Sequence, residues 1–177
     1  MIISNSFCTI EKRLSIMEKA ILLIGILVCA GLSGCISADE EYEEFPSFDL
    51  VDHNNAIQNS SMYVDAPFIA YFSASWCSHC APTLGAVDDT VPVGNILIFN
   101  LESRTEWGNM TEWKEKMEDE LERDLFHPFI HSPKIAESAG VERIPTVLFI
   151  NSDGLIEQRL EGIQDNAAIE ANWANLS

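Results

Sequence analysis

Basic residues are scarce in this sequence: 10 Lys and Arg stand against 28 Asp and Glu, for a net charge of −18. A surface that binds nucleic acid needs clustered Lys and Arg to neutralise phosphates, and the chain has no such cluster. The same deficit argues against electrostatic docking on anionic lipid. Apolar residues nevertheless make up 47% of the 177 residues. That share is enough for a packed core and predicts a folded domain instead of a disordered chain.

Near the N-terminus, residues 20–32 form an apolar run of 13 residues, which is short for a membrane span. Three basic residues precede the run: Lys12, Arg13 and Lys19. This order of a basic and then an apolar region is typical of a secretory signal. We therefore predict that residues 1–34 are a leader, translated either from Met1 or from Met17.

The apolar run ends in Leu32-Ser33-Gly34-Cys35, which resembles the lipobox of lipoproteins. The resemblance implies that cleavage precedes Cys35 and that its thiol receives a lipid. The alternative is an uncleaved helical anchor that extends to Ile36. In both cases the positive residues keep the N-terminal side in the cytoplasm. The rest of the chain is then predicted to be membrane-anchored on the extracytoplasmic face, in a periplasm or at the cell surface.

Only two of the five cysteines remain once the leader is set aside. Cys8 and Cys29 leave with the signal, and Cys35 would be capped by lipid. The remaining Cys77 and Cys80 form one C-x-x-C pair in a protein predicted to be exported, where the oxidising environment permits disulfides.

After the leader, the pattern predicts an acidic linker over residues 35–45 and one α/β domain over residues 46–177. The linker prediction rests on residues 38–44, ADEEYEE, which show no apolar period. Apolar runs and turn signals predict strands over residues 48–52, 67–73, 95–101, 146–150 and 154–160. Apolar spacing and capping residues predict helices over residues 77–89, 111–125, 133–139 and 165–176.

The chemistry of the chain centres on Cys77-Ser78-His79-Cys80, which follows a predicted buried strand and opens a predicted helix. Unpaired N–H groups and the positive end of the dipole at a helix start stabilise a thiolate. We therefore expect Cys77 to be the exposed nucleophile and Cys80 the buried thiol that resolves the mixed disulfide. His79, when cationic, would favour the thiolate and raise the reduction potential. The alternative is that His79 is a solvated helix residue.

The segment Ala74–Cys80, ASWCSHC, together with Ile144-Pro145-Thr146, resembles the thioredoxin-fold thiol–disulfide oxidoreductases, and residues 46–177 resemble their TlpA/ResA-like branch. The resemblance implies an α/β, thioredoxin-like fold, in which helices flank a central mixed β-sheet and a TlpA-type helix is inserted. It also implies that Cys77 and Cys80 form the redox disulfide, supported by Trp76. The Ile144–Pro145 bond is implied to be cis and to aim the backbone of Ile144 at a substrate strand.

Four residues depart from the family's pattern: Tyr71, Thr83, and Pro82 and Gly85, which interrupt the first helix. Thioredoxins carry a buried acid six residues before the first cysteine, and here that residue is Tyr71. We expect Tyr71 to act in packing, with a contribution from its hydroxyl as the alternative. Many members of the TlpA/ResA-like branch carry Glu where this chain has Thr83. Pro82 is predicted to kink the first helix.

The predicted function is an enzyme that exchanges disulfides with protein substrates, with no cofactor and no resident metal. Its predicted partners are protein thiols or disulfides and a membrane redox protein, and not nucleic acid. The direction of electron flow stays open, because His79 favours an oxidant or isomerase and the resemblance favours a reductant. The alternative function is copper binding and delivery, in which the C-x-x-C pair and His79 would be joined by His127 or His131.

Overall fold

The structure is a computed structural model, and it describes residues 42–104 and 109–176. The strands are β1 (Glu43–Glu44), β2 (Asp49–Val51), β3 (Ile57–Asn59), β4 (Phe68–Ser73), β5 (Ile96–Asn100), β6 (Phe129–His131), β7 (Thr146–Ile150) and β8 (Leu155–Glu161). The α-helices are α1 (Ala81–Thr90), α2 (Met110–Leu121), α3 (Pro133–Ser138) and α4 (Asn166–Ala174). A short 3₁₀ helix, Ser60–Tyr63, follows β3.

Six of these strands form a mixed sheet in the order β1-β8-β7-β4-β5-β6. Strand β4 lies inside the sheet, parallel to β5 and antiparallel to β7. Strands β2 and β3 form a separate antiparallel hairpin, of which β3 was not predicted from the sequence. The prediction of a central mixed sheet with flanking helices is confirmed, and α2 is the inserted helix between β5 and β6.

The two faces of β4 enter different halves of the core, because successive side chains of a strand point to opposite faces. Ile69 and Tyr71 belong to the cluster that also contains Cys77, Cys80 and buried residues of α1 and α2. The intervening Ala70 and Phe72 belong to the cluster that contains residues of α3 and the aromatic side chains ahead of β2. The cysteine pair is thereby set into the apolar layer between the sheet and α1.

The first helix begins later than predicted. Helix α1 starts at Ala81 and not at Cys77, and residues 77–80 form a turn in which the Cys80 N–H donates to the Cys77 carbonyl at 3.4 Å. Pro82 consequently lies in the first helical turn, where a missing N–H costs nothing because that group has no partner within the helix. The predicted kink is therefore wrong.

The folded part of the chain begins earlier than predicted. Glu43 and Glu44 pair with β8, and Phe45 is buried. Assigning residues 43–45 to the linker was therefore wrong, because backbone pairing at a sheet edge does not require the apolar period that acidic residues lack. The predicted leader, Cys35 and the remainder of the predicted linker up to residue 41 lie outside the described residues. Over the ranges that the structure describes, no helix is long and apolar enough to cross a membrane.

Candidate functional site

The two cysteines of the C-x-x-C motif are joined by a disulfide just beyond the C-terminal end of β4. The Cys77–Cys80 bond has an S–S distance of 2.02 Å and a Cα–Cα distance of 5.6 Å. The turn that leads into it is held by the N–H of Cys77, which donates to the carbonyl of Ala74 at 3.0 Å. Because β4 is flanked by strands on both sides, this turn projects from the interior of the sheet and not from its edge.

The two sulfur-bearing residues differ in accessibility. Cys80 is fully buried, whereas Cys77 keeps 7% of its surface exposed. Cys77 is the more accessible of the two, as expected, but the expectation that it is exposed is wrong, since its side chain packs into the core cluster beneath α1. Its neighbours Ser78 and His79 are exposed, so a partner can approach the disulfide from their side.

Helix α1 begins directly at the disulfide. Cys80 occupies the N-cap position and makes no side-chain cap. The first turn, from Ala81 to Leu84, carries no acidic side chain that would cancel the positive end of the helix dipole. Negative charge that develops on the sulfur atoms is therefore stabilised by this helix start.

Two of the residues that depart from the family's pattern make defined hydrogen bonds here. The hydroxyl of Tyr71, which is fully buried, donates to the carbonyl oxygen of Cys80 at 2.8 Å. The expectation that Tyr71 acts chiefly in packing is therefore incomplete. The hydroxyl oxygen of Thr83 accepts from the backbone N–H of Gln164 at 3.0 Å, which ties α1 to the segment ahead of α4.

Trp76, which precedes the disulfide, is held by a carboxylate that sequence reasoning missed. Its indole Nε1 donates to Glu102 at 2.7 Å, while half of the side-chain surface remains exposed. Hydrogen bonds from Arg104, with a smaller contribution from Trp76, lower the pKa of Glu102 to about 2. One signal could have found this residue: Glu102 follows β5, and neighbouring parallel strands bring their C-terminal ends to the same edge.

The segment ahead of β7 contributes Ile144 and Pro145. The peptide bond between them is cis. The side chain of Ile144 packs against the cluster that contains both cysteines. The carbonyl of Pro145 accepts from the N–H of Gly162 at 2.8 Å, which fixes this segment to the end of β8.

The histidines named for the copper alternative are engaged elsewhere. His127 is buried, and its Nε2 lies 2.7 Å from an oxygen of Asp88. His131 bonds through Nε2 to the carbonyl of Glu102 at 2.7 Å. Exposed His79 has its Nδ1 3.2 Å from the Ser78 hydroxyl. In the part of the chain that the structure describes, no three His, Cys, Asp or Glu side chains are grouped to hold a metal ion.

Comparison with solved structures shows which known proteins share this architecture. The chain is similar to the exposed lipoprotein thioredoxin Etrx1 of Streptococcus pneumoniae, at 22% identity and a TM-score of 0.61, over 74% of this chain and 100% of that one. It is similar to a thiol:disulfide interchange protein of Chlorobium tepidum, at 18% identity and a TM-score of 0.61, over 77% and 97%. It is also similar to StoA of Bacillus subtilis, at 18% identity and a TM-score of 0.53, over 74% and 98%. No protein-family model and no curated protein sequence matches the chain.

These similarities, together with the sheet order, show that the chain has the thioredoxin-like fold, as predicted. The class that fold and site define is a thioredoxin-fold protein with a C-x-x-C disulfide at the start of a helix. The named neighbours include proteins described as thioredoxins and thiol:disulfide interchange proteins.

Proposed function

We propose that this protein is a thiol–disulfide oxidoreductase that exchanges disulfides with protein substrates. The observation that carries the proposal is the Cys77–Cys80 disulfide, set at a helix start with 7% of the surface of Cys77 exposed and Cys80 fully buried. This asymmetry separates the roles. A partner reaches Cys77 and not the fully buried Cys80, and Cys80 can then attack the Cys77 sulfur of the mixed disulfide.

In the direction that oxidises the protein, the Cys77 thiolate attacks a substrate disulfide. A bond forms between Cys77 and one substrate sulfur, and the other substrate sulfur leaves as a thiolate. The Cys80 thiolate then attacks the Cys77 sulfur, closes the disulfide and releases the second substrate thiolate. The substrate gains two electrons and the protein loses two. The reverse sequence oxidises a substrate dithiol.

The substrate surface in this proposal is formed by the exposed faces around the pair. Trp76 provides an apolar ring whose position is held by Glu102. On the other side, Ile144 packs against the cluster of the cysteines, and its backbone is proposed to pair with an extended substrate segment. A surface built from one ring and backbone pairing would accept many sequences near the reactive sulfur.

The proposed location is the extracytoplasmic face of a membrane, reached through the leader over residues 1–34 and the lipid on Cys35. Support comes from the order of basic and apolar residues and from the lipobox-like Leu32-Ser33-Gly34-Cys35. A disulfide-exchange protein outside the cytoplasm needs a redox partner at the membrane to restore its starting state. The N-terminal residue and mass of the mature protein test this part of the proposal.

Substrate trapping tests the exchange mechanism. We expect the Cys80→Ala variant to accumulate mixed disulfides with cellular proteins, because Cys77 can still attack but nothing closes the bond. The adducts are measured as high-mass bands on non-reducing gels that disappear on reduction. The matched control is Cys77→Ala, which keeps one cysteine in the same motif but leaves only the buried one.

The two variants give opposite expected results. Cys77→Ala should show none of the adducts, and Cys80→Ala should show them at least about tenfold above the wild type, given the loss of the closing thiol. Equal adduct levels in the two variants, or none in either, would contradict the proposal.

The reduction potential of the Cys77–Cys80 pair in glutathione buffers determines the direction of electron flow. A value near or above about −180 mV is typical of oxidants and isomerases, and a value below about −230 mV is typical of reductants. A pair that never closes a disulfide but binds Cu(I) would instead favour the copper-delivery function.

A further inference from the structure

Tyr71 occupies a central position beneath the reactive pair. It lies in the interior strand β4, where it is paired with Ile98 of β5 on one side and Val147 of β7 on the other. Its side chain is fully buried and points into the layer that contains Cys77 and Cys80. The position of its hydroxyl is therefore set by the centre of the sheet.

The acceptor of this hydroxyl is the backbone of the buried cysteine itself. The carbonyl oxygen of Cys80 accepts from the Tyr71 hydroxyl at 2.8 Å and from the N–H of Leu84 at 3.1 Å. The second bond belongs to helix α1, and the first comes from the sheet. One oxygen atom thus joins the first turn of the helix to the strand below it.

We propose that Tyr71 is the positioning residue for Cys80: its hydroxyl holds the Cys80 peptide so that the buried sulfur is aimed at the sulfur of Cys77, and it does so without exchanging a proton. The inference rests on the proposed function, because the orientation of the Cys80 sulfur matters only if Cys80 resolves a mixed disulfide. It assigns Tyr71 a role beyond packing at the position where thioredoxins carry a buried acid.

The chemistry of the hydroxyl separates this role from proton transfer. Burial raises the pKa of Tyr71 well above its usual range, so the phenol stays neutral and remains a hydrogen-bond donor. Among the described residues, the buried carboxylates are Asp52 and Glu102, and their hydrogen bonds are made to residues other than the cysteines. Neither of these two carboxylates is therefore placed to take the proton of the Cys80 thiol.

The closing step can be isolated with glutathione disulfide as the probe. The Cys77 thiolate attacks it, forms a Cys77–glutathione bond and releases one glutathione thiolate. The Cys80 thiolate then attacks the Cys77 sulfur, forms the Cys77–Cys80 bond and expels the second glutathione thiolate, which takes a proton from water. Acid quenching followed by mass measurement gives the amount of the glutathione adduct at each time.

The experiment compares three forms of the reduced full-length protein in detergent: the wild type, Tyr71→Phe and Tyr63→Phe. The control makes the same chemical change at a second tyrosine, whose hydroxyl donates to Gln58 at 3.1 Å. Tyr63 belongs to the cluster on the other face of the sheet from the cysteines. Folded fractions are measured by near-ultraviolet circular dichroism, and rates are expressed per folded molecule.

We expect the closing step to slow at least threefold in Tyr71→Phe and to stay unchanged in Tyr63→Phe. The first step, measured with Cys80→Ala and with Cys80→Ala combined with Tyr71→Phe, should have the same rate in both. The midpoint of the rate–pH profile of closing should not move, because the hydroxyl keeps its proton and transfers none during the step. A purely structural role would lower stability and leave the closing rate per folded molecule unchanged.

Several results would overturn the inference. These are an unchanged closing rate in Tyr71→Phe, an equal slowing in Tyr63→Phe, and a shifted pH midpoint in Tyr71→Phe, which would show proton transfer.

If Tyr71→Phe does not fold, 4-aminophenylalanine at residue 71 replaces it. That side chain retains a donor, so closing within twofold of the wild-type rate is expected, and slower closing counts against the role. A wild type that forms no adduct and no disulfide would contradict the proposed function, whereas wild-type closure with unaffected Tyr71→Phe contradicts the inference alone.

Discussion

At the scale of single residues, the hydrogen bond from Trp76 to Glu102 fixes the position of the indole ring beside the disulfide. The ring is half-exposed beside a reactive bond, where free rotation would present a different surface to each partner. Glu102 accepts from the indole nitrogen, and Arg104 donates to the same carboxylate. Because the carboxylate is ionised, its bond to the indole N–H is charge-assisted and shorter than a neutral one.

The ionisation of Glu102 predicts how this hydrogen bond depends on pH. Its pKa is lowered from the usual 4.5 to about 2, chiefly by hydrogen bonds from Arg104. The ionised Glu102 therefore stabilises the folded state at pH values above its pKa in the unfolded chain. This stabilisation is lost as the pH falls through about 2. We expect the Trp76 indole N–H resonance to stay constant from neutral pH to about pH 3.5 and to shift below it.

Glu102→Gln tests the same prediction by substitution. The amide cannot titrate or pair with Arg104 as a charge, so the Trp76 resonance should be displaced at neutral pH and lose its acid transition. Trp113 is the control, because its buried Nε1 has no hydrogen-bond partner among the described residues. A Trp76 resonance that titrates identically in the variant would rule out Glu102 as the cause.

At the scale of elements, helix α1 is fixed at both ends. Its first turn is joined to β4 through Tyr71, and its last turn is joined to the segment after α2 through Asp88. Gly85 lies between the two ends and permits a close approach, since a Cβ there would lie 3.1 Å from Leu121 Cδ2. A glycine that weakens the isolated helix therefore allows it to pack closely against the end of α2.

Asp88 and Asp89 are a matched pair for testing the contact between the last turn of α1 and the segment after α2. The carboxylate of Asp88 bonds to the fully buried ring of His127 and to Arg123, whereas the more exposed Asp89 bonds to Arg123 and Asn166. We expect Asp88→Ala to lower the free energy of unfolding by about 1–3 kcal/mol, because a buried histidine loses its partner.

The neighbouring substitution should cost less. We expect Asp89→Ala to lower the free energy of unfolding by less than about 1 kcal/mol, as is usual for exposed ion pairs. Asp88 and Asp89 both lie near the C-terminal end of α1, where a negative charge interacts unfavourably with the helix dipole. Removing that charge should therefore raise the stability by a similar amount in both variants. Urea denaturation measures both values, and equal losses would contradict a special role for the Asp88–His127 contact.

At the scale of the whole molecule, the residues just before residue 46 belong to the domain. Strand β1 covers the outer edge of β8, and Phe45 closes an aromatic cluster in which its ring centroid lies 5.5 Å from that of Phe68. The domain is thereby joined directly to the N-terminal segment that is predicted to carry the anchor.

A pair of phenylalanines tests this extent of the domain. We expect Phe45→Ala in the full-length chain to lower the free energy of unfolding by about 3–5 kcal/mol, because it empties a buried aromatic site. Phe126, of which 73% is exposed, is the control, and Phe126→Ala should change stability by less than about 0.5 kcal/mol. If Phe45→Ala lowers the free energy of unfolding no more than Phe126→Ala does, residue 45 is part of the linker and not of the domain.

The sequence by itself determined the local features of this protein. The mainly apolar run over 146–150 became β7 without a change of boundary, because an interior strand is buried on both faces and its residues are mostly apolar. The C-x-x-C spacing marked Cys77 and Cys80, since two cysteines three residues apart can close a disulfide within one turn. Each of these signals is complete within a few consecutive residues.

Only the tertiary structure decided which distant groups meet. The bond between Trp76 and Glu102 spans 26 residues, and the one between Asp88 and His127 spans 39. The hydroxyl of Tyr71 reaches Cys80 because the chain turns back over the end of β4, which no local pattern expresses. The start of α1 likewise depended on where the disulfide turn ends. Such contacts follow from strand order and helix packing, and these are properties of the whole core.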